Sequence, residues 1–313
     1  MSALPEIRAA RDRSDYDACV ALQREVWGLS DLEITSAIQL IATVHAGGVL
    51  LVAEAPGAGV VGFSYGFAGF ANGAPLLHSD MLAVRPAWRG KSLGLRLKWA
   101  QRETALALGL RLVTWTFDPM RAKNAQLNLS RLGAIARQHL PDFYGRTSSA
   151  LHHGLATDRL LARWELDSPR VKRLAAKHPA VVARAKSDAP LINDVRLQGG
   201  LPVSSDPRLD LDEARLRLQI PSDWDAVCRA DTALAKEWQA IVRRSFAACF
   251  ARGYAAVDLE AGSGETARYV LERLTRRPSR PAAPGRTTTR SRTRRRASRA
   301  APRGAARGGR GRR

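Results

Sequence analysis

The run from Arg89 to Gly94 reads Arg-Gly-Lys-Ser-Leu-Gly and has the composition of a loop that binds phosphate. It follows an apolar, strand-like segment and opens a helical pattern, so it forms the N-terminus of a helix. Such an end exposes unpaired N–H groups and about half a positive charge, and glycine lets a phosphate approach the backbone closely. The sequence therefore predicts a polyphosphate anchor. The glycine spacings of a Walker loop and of a dinucleotide-binding loop are both absent.

Two side chains in the preceding strand-like segment are candidates for proton transfer. His78 and Asp80 are alternate residues between Leu77 and Val84, so a regular strand places them on one face, about 7 Å apart. An unperturbed imidazole titrates near neutral pH, which suits a general base. Asp80 is either a second base or a partner for a substrate ammonium. The alternative is a surface histidine beside an aspartate that caps the strand.

Hydrophobic periodicity predicts the elements that position these residues. After the loop, apolar residues recur every three or four positions from Leu93 to Leu108, which indicates one face of a helix. The first half has the order β-α-α-β-β-β-α-β-α-β, with antiparallel strands ahead of the loop. Its strands are predicted at 6–10, 49–53, 60–67, 77–84, 110–117 and 160–166. Its helices are predicted at 14–27 with a cap from Ser14 and Asp15, and at 36–45, 93–108 and 122–136.

The second half predicts a smaller β-α-β-β unit that packs on the first. A helix over 169–186 and a loop over 187–207 should lead to this unit, which should comprise a strand over 214–220, a helix capped by Asp231, and strands over 254–259 and 268–272. We expect four regions, which are an N-terminal domain 1–168, a linker 169–207, a C-terminal unit 208–275 and a tail 276–313.

The order of strand, Arg-Gly-x-x-x-Gly loop, helix, strand and helix resembles the acetyl-CoA-dependent GNAT acyltransferase superfamily. The consensus of that family's loop is [QR]-x-x-G-x-[GA]; Arg89 and Gly94 match its two ends, and Ser92 stands where the middle glycine usually lies. A side chain at Ser92 requires a negative φ. The likeness covers about 6–166 by element order. It implies an α/β (α+β) fold with a mixed, mostly antiparallel GNAT-like sheet flanked by helices.

The resemblance also implies a reaction and a co-substrate. An acetyl or other acyl group would pass from coenzyme A to an amine, on a small molecule or a peptide, by direct attack on the thioester. The coenzyme pyrophosphate is assigned to the loop Arg89, Gly90, Lys91, Ser92, Leu93 and Gly94. Pantetheine and the reaction's oxyanion are assigned to the backbone of Leu82, Ala83 and Val84, and the base to His78, with Asp80 second.

The proton donor departs from the family pattern. Aligned with the family's fourth helix, Leu129 occupies the position of its usual tyrosine. Asn124 and Asn128 lie nearby and are predicted to contact the coenzyme, while Tyr144 is a candidate hydroxyl from another direction. A thiolate can also leave without a protein acid.

The charge of the chain is concentrated at its end. The formal net charge is +21, and residues 276–313 hold 15 arginines and no acid, so the preceding residues carry only +6. Without aromatic or periodic apolar residues, this tail is expected to be disordered and to bind nucleic acid non-specifically. The alternative function is therefore a non-catalytic GNAT-fold binding protein that is tethered to nucleic acid.

Composition excludes several other classes. Cys19, Cys228 and Cys249 are widely spaced, which argues against a disulfide framework and a zinc site, and adjacent histidines at 152 and 153 point to opposite faces of a strand. No metal is expected. No apolar run reaches the length of about 18 residues that spans a bilayer, and the N-terminus lacks an apolar signal core. We expect a cytoplasmic protein without a membrane partner.

Overall fold

A computed structural model describes residues 4–145, 153–177, 187–261 and 264–274. The strands in these ranges are β1 (Glu6–Ala9), β2 (Val49–Ala55), β3 (Gly59–Ala71), β4 (Ala74–Val84), β5 (Leu112–Phe117), β6 (Ile135–Leu140), β7 (Arg159–Glu165), β8 (Val195–Gln198), β9 (Leu201–Ser204), β10 (Arg215–Pro221), β11 (Tyr254–Ala261) and β12 (Thr266–Arg273). The α-helices are α1 (Arg13–Trp27), α2 (Ala37–His45), α3 (Leu93–Ala107), α4 (Ala122–Ala125), α5 (Pro169–Lys177), α6 (Trp224–Ala230) and α7 (Thr232–Ala251). A 3₁₀ turn covers Pro86–Trp88, and α4 continues into a π-helical segment, Gln126–Arg131.

Ten strands form one sheet in the order β1-β2-β3-β4-β5-β7-β6-β11-β12-β10, among the residues described. The pair β4–β5 is parallel, and the other neighbours pair antiparallel. Strands β8 and β9 form a separate hairpin. The prediction of a mixed, mostly antiparallel sheet flanked by helices is confirmed.

The two parallel strands diverge after a short contact. Strands β4 and β5 pair only through Leu77 with Val113 and His78 with Thr114. Beyond His78, the residues of β4 up to Val84 have no partner on β5 in the described chain. The sheet therefore contains a wedge-shaped opening that begins at His78.

A bulge in β4 lies at the start of this opening. Ser79 pairs with Gly66 and Met81 with Tyr65 on β3, so Asp80 is an extra residue without an opposite partner. A Cβ at Gly66 would lie 2.8 Å from the carbonyl oxygen of His78, which explains the glycine on β3. The prediction that His78 and Asp80 lie on one face assumed a regular strand. The bulge interrupts the alternation of side chains between the two residues.

Strand β2 shows which helices cover which face of the sheet. Leu51 and Ala53 belong to the core cluster that includes the apolar side of α3, whereas Leu50 and Val52 pack with α1 and α2. Successive strand residues point to opposite faces, so α1 and α2 lie on one face and α3 on the other. Leu129 of the π-helical segment belongs to the cluster on the α3 side.

Two helical predictions in the first half are wrong. Helix α1 is capped by Asp12, which accepts from the N–H groups of Ser14 and Asp15, while Asp15 itself binds Arg8. The helix predicted over 122–136 ends at Arg131, and β6 follows it. Gly133, with a φ of 79°, turns the chain between the two, a conformation that glycine adopts without a Cβ penalty.

The second half also differs from its prediction. The loop predicted over 187–207 contains the hairpin β8–β9, whose turn residues Gly199 and Gly200 both have positive φ. Helix α6 was not predicted, whereas the cap of α7 by Asp231 is observed. Residues 178–186 of the predicted basic helix, and the tail 276–313, lie outside the described ranges.

The C-terminal strands continue the sheet of the N-terminal half. Ala256 on β11 pairs with Ala136 on β6. Ser130, in the π-helical segment, binds Asp258 on β11, and its Oγ accepts from the Leu259 N–H at 3.2 Å. Arg170 at the start of α5 donates to three backbone carbonyl oxygens. They belong to Leu129 in the π-helical segment, Gly133 in the turn before β6, and Val257 on β11. The boundaries at 168, 207 and 275 stay predictions.

We expect Gly66→Ala to destabilise the fold by about 1–3 kcal/mol, because the new methyl group meets a backbone oxygen that cannot move without disturbing the β3–β4 ladder. Gly69→Ala is the matched control in the same strand, where a Cβ would lie 3.5 Å from a Leu76 methyl group, an ordinary contact. Urea unfolding of both variants measures the difference. Equal losses would contradict the close approach at the bulge.

Candidate active site

A cavity of about 1090 Å³ lies at the opening between β4 and β5. Its wall includes Gln23 and Trp27 of α1, and Lys98 of α3. Because α1 and α3 cover opposite faces, the cavity passes through the sheet where the two strands diverge. A ligand on the α3 face can therefore meet a second ligand on the α1 face without any strand moving.

The site residues predicted from the sequence fall into two groups. Those that line the cavity are His78, Asp80, Leu82, Asn124, Asn128 and Tyr144. Those outside its wall are Ala83, Val84 and the loop residues Arg89, Gly90, Lys91, Ser92, Leu93 and Gly94. The loop is nevertheless adjacent, since a Cβ at Gly94 would lie 3.6 Å from Leu82 Cδ2. Leu82 thus connects the loop to the cavity.

The N-terminus of α3 has no side-chain cap. Ser92 occupies the cap position without accepting a hydrogen bond from the first turn, and the side chains from Arg89 to Ser92 are exposed. Arg89 donates to the Val84 carbonyl at 3.1 Å, and the Lys91 ammonium lies 4.9 Å from the Trp88 ring centroid. The first N–H groups of α3 and two cations therefore face solvent, an arrangement suited to a phosphate.

The expectation of a negative φ at Ser92 is wrong. The residue has a φ of 57° and a ψ of 17°, in the left-handed region. A side chain in this region costs roughly 1–2 kcal/mol, because the Cβ crowds the following carbonyl oxygen. The loop thus keeps a backbone conformation that glycine adopts freely, although the residue is serine.

His78 is a neutral imidazole near neutral pH. Burial lowers its pKa below the ordinary 6.5, and the charge of Lys98 acts in the same direction, while Asp80 opposes them. Its Nδ1 lies 3.1 Å from Thr114 Oγ1, and the Phe67 ring packs 5.2 Å away. In the tautomer that donates from Nδ1 to Thr114, Nε2 keeps its lone pair and can accept a proton.

Asp80 faces the cavity from the bulge. Its pKa is raised by desolvation within the cavity wall, an effect that the nearby His78 partly offsets. The carboxyl is open at the surface of the cavity rather than enclosed in the core. It is placed to attract a cationic group that enters from this side.

Asn128 supplies a buried donor without a partner. Its side chain is 3% exposed, and its Nδ2 has no hydrogen-bond acceptor in the described residues. An unsatisfied buried donor costs about 1–3 kcal/mol, so the position suits a bound acceptor atom. Leu129 beside it is fully buried and packs in the core. The π-helical segment itself therefore presents an amide to the cavity, through Asn128.

Tyr144 reaches the cavity from the turn after β6. Its hydroxyl lies 2.9 Å from Thr116 Oγ1, and the Arg159 guanidinium is 5.1 Å from its ring centroid. Half of the residue is exposed. The hydroxyl is thus already engaged by β5.

Sequence reasoning missed most of the wall, and two of the parts that it missed carry chemistry. One is Lys98, which is buried and lines the cavity. Lys98, Gln101 and Ala105 recur at helical spacing beside the apolar face of α3, and all three are buried. The junction of β10 and α6 contributes Ser222, Asp223, Trp224 and Asp225. Since these residues are distant along the chain, no local pattern connects them with the site.

Asp225 is held by an arginine and a histidine at the cavity wall. It accepts from Arg121 at 2.5 Å and lies 2.8 Å from His153 Nε2. These contacts draw its pKa downward against the effect of burial. His153 is the second of two adjacent histidines, and the first, at position 152, lies outside the described ranges. Within those ranges, no group of three or more His, Cys, Asp or Glu side chains is arranged to hold a metal ion.

The chain is similar to acetyltransferases of known structure. A putative acetyltransferase, yncA, from Salmonella typhimurium with acetyl-CoA is 21% identical, with 53% of this chain and 96% of that chain covered and a TM-score of 0.41. A putative GNAT-family acetyltransferase from Desulfovibrio desulfuricans is 17% identical, with 51% and 98% covered and a TM-score of 0.42. The ribosomal-protein-S18-alanine N-acetyltransferase from Escherichia coli is 12% identical, with 53% and 96% covered and a TM-score of 0.41.

No protein-family model matches the sequence, and no curated protein matches it. In the described part of the chain, no helix combines the length and the apolarity needed to cross a bilayer.

Ser92→Gly is expected to stabilise the protein by about 0.5–1 kcal/mol, because it removes the Cβ from a left-handed residue whose hydroxyl caps nothing. Ser92→Ala is the matched control, since it removes the hydroxyl and keeps the Cβ. Chemical denaturation of the two variants and the parent measures the effect. Equal midpoints for the glycine and alanine variants would show that Ser92 carries no backbone strain.

NMR titration of the His78 ring is expected to give a pKa below 6.5. In Asp80→Asn, this pKa should fall further, because a negative charge that favours the imidazolium has been removed. Asp17→Asn, which removes an exposed carboxylate on α1, is the control and should leave the titration unchanged. A rise in the pKa of His78 on losing Asp80 would refute the proposed coupling.

Proposed function

We propose that this chain is a GNAT-type acyltransferase, which moves an acetyl or other acyl group from coenzyme A to an amine acceptor. The observation that carries the proposal is the cavity at the divergence of β4 and β5, with His78 at its apex and the uncapped N-terminus of α3 beside it. These features give a polyphosphate anchor, a passage through the sheet and a proton acceptor in one continuous region.

The coenzyme would lie on the α3 face. Acetyl-CoA, when bound, supplies the acyl group as a thioester. The first N–H groups of α3, with Arg89 and Lys91, suit its pyrophosphate by charge and by their exposure. The edge of β4 that β5 leaves unpaired offers backbone groups to an amide-containing arm, and Asn128 offers its free donor. Anchor and passage are joined at Leu82.

The acceptor amine would enter from the α1 face. Asp80 attracts its ammonium form, which loses one proton to solvent and becomes the neutral amine that attacks, and His78 takes the next proton from nitrogen as the new bond forms. The lowered pKa of His78 keeps the ring neutral and ready to accept at neutral pH. The residues from Ser222 to Asp225 line the same cavity and are candidates for acceptor contacts. Peptide and small-molecule amines both fit this chemistry.

A cytoplasmic location is part of the proposal. Cys19, Cys228 and Cys249 are all free and buried. Burial raises the pKa of the Cys19 thiol to about 12 and those of the Cys228 and Cys249 thiols to about 11, so none is a reactive thiolate. Buried free thiols are typical of proteins in a reducing compartment.

The competing function is non-catalytic binding, with nucleic acid held by the 15 arginines of residues 276–313. The two functions predict different effects of acetyl-CoA on the melting temperature of the full chain. If the full chain binds a polynucleotide and acetyl-CoA produces no thermal shift, the binding function is favoured. A thermal shift with acetyl-CoA, unaffected by the polynucleotide, favours the acyltransferase.

Titration with acetyl-CoA tests the proposed function directly. We expect acetyl-CoA to raise the melting temperature and to bind more weakly as salt increases, because the anchor is electrostatic. The double variant Arg89→Ala/Lys91→Ala should weaken binding about tenfold or more, which corresponds to about 1.4 kcal/mol. Arg13→Ala/Lys236→Ala removes two exposed cations elsewhere and is the matched control. The absence of any shift with the parent protein would exclude the proposal.

A further inference from the structure

Lys98 has an unusual environment for a lysine. Its side chain extends from α3 beneath the opening between β4 and β5 and is only 2% exposed. The Nζ atom donates to Ser79 Oγ at 2.9 Å and to Gln101 Oε1 at 2.7 Å. It also lies 4.0 Å from the Trp115 ring centroid and 5.5 Å from that of Trp164. The amine is thus fixed in position by neutral groups.

No carboxylate forms an ion pair with Lys98 in the described part of the chain, and burial lowers its pKa to about 7. Two arginines differ. The buried Arg102 binds Glu103 and the Leu166 carbonyl, and the partly buried Arg8 binds Asp15. A buried charge without a counter-charge is strongly destabilising, and an apolar side chain would fill the same space without that cost. The position therefore suits a group that changes its protonation state.

The location of Nζ connects it with the reacting centre. Ser79, its hydrogen-bond partner, is the first residue of β4 beyond the last pair with β5. Lys98 also lines the cavity and lowers the pKa of the adjacent His78. The family's tyrosine position offers no acid here, because Leu129 has no ionisable group, and Tyr144 lies half exposed on the turn after β6 with its hydroxyl 2.9 Å from Thr116 Oγ1.

We propose that Lys98 is the proton donor to the sulfur that leaves during acyl transfer. This role rests on the proposed function and fills the place for which the chain has no tyrosine. As the C–N bond forms, His78 takes the proton that the amine nitrogen loses. As the C–S bond breaks, its electron pair goes to sulfur, and Lys98 supplies the proton that completes the thiol. Lys98 then regains a proton from water, and His78 releases one, so no net proton is consumed.

Few charges face the Lys98 ammonium from the elements packed around it. The groups that face it are Gln101 from α3 itself, Ser79 from β4, Trp115 from β5 and Trp164 from β7. The titratable groups on the adjoining β4 wall are His78 and Asp80, and Asp118 lines the cavity after β5. In the part of the cavity wall that α3 and β4 contribute, Lys98 is the one lysine or arginine.

The test measures the thiol of bound coenzyme A and needs no acceptor. Coenzyme A is bound to the full-length protein, the pH is raised stepwise, and the ultraviolet absorbance of the coenzyme's thiolate is followed. In the parent protein, the thiolate absorbance should begin to rise at a lower pH than in Lys98→Met, because the bound thiol can lose its proton while the neighbouring Lys98 is still an ammonium, and the two opposite charges stabilise each other. Lys123→Met, which removes an exposed lysine at the cavity wall, is the control and should keep the parent's value.

The outcomes separate the two levels of the proposal. If coenzyme A binds and its thiol ionises at the same pH in the parent and in Lys98→Met, the role of Lys98 is refuted while the proposed function stands. If the parent does not bind coenzyme A, the proposed function fails and the role of Lys98 with it. Lys98→Met leaves Ser79 Oγ and Gln101 Oε1 without the donor that they have in the parent, so its melting temperature is recorded before the titration to show that it is folded. Lys98→Gln, which keeps a hydrogen-bonding head group, repeats the titration should the methionine variant not fold.

Discussion

The parallel pairing of β4 with β5 stops after two residue pairs, and every feature of the cavity depends on that stop. Parallel neighbours require a crossover connection, and here the crossover consists of the loop from Arg89 and helix α3. The strand that diverges is thus the strand that delivers the loop. Had the ladder continued to Val84, the sheet would separate the α1 face from the α3 face, and His78 and Lys98 would have no common space.

Turn residues, apolar periodicity and helix caps predicted those elements that depend on contacts between residues close together in the sequence. The hairpin β2–β3 follows from turn residues, α3 from its apolar period, and the start of α7 from the cap at Asp231. Strand β6 was missed because the chain before Gly133 has a helical pattern, and the strand is defined by its pairing with β7 and β11, which are distant in the sequence. The bulge at Asp80 was missed for the same reason, since it is defined by the partner strand.

The site was predictable where motif order implied proximity. His78 and Asp80 on β4 are far in the sequence from Asn128 and Tyr144, yet all four line one cavity. Lys98 escaped prediction because a lysine in an amphipathic helix usually lies on the solvated side, and only packing shows that it is buried. The left-handed backbone at Ser92 escaped it because residue type alone favoured the opposite sign of φ.

The contacts of the π-helical segment with β11 give the site a thermodynamic linkage. Asn128, which offers its donor to the cavity, lies in the helix that Ser130 and Arg170 fasten to the C-terminal strands. A ligand that binds Asn128 and fixes this helix therefore also stabilises the contacts of the helix with those strands. By reciprocity, these contacts strengthen the binding of that ligand. The C-terminal segment thus acts as an energetic partner of the cavity.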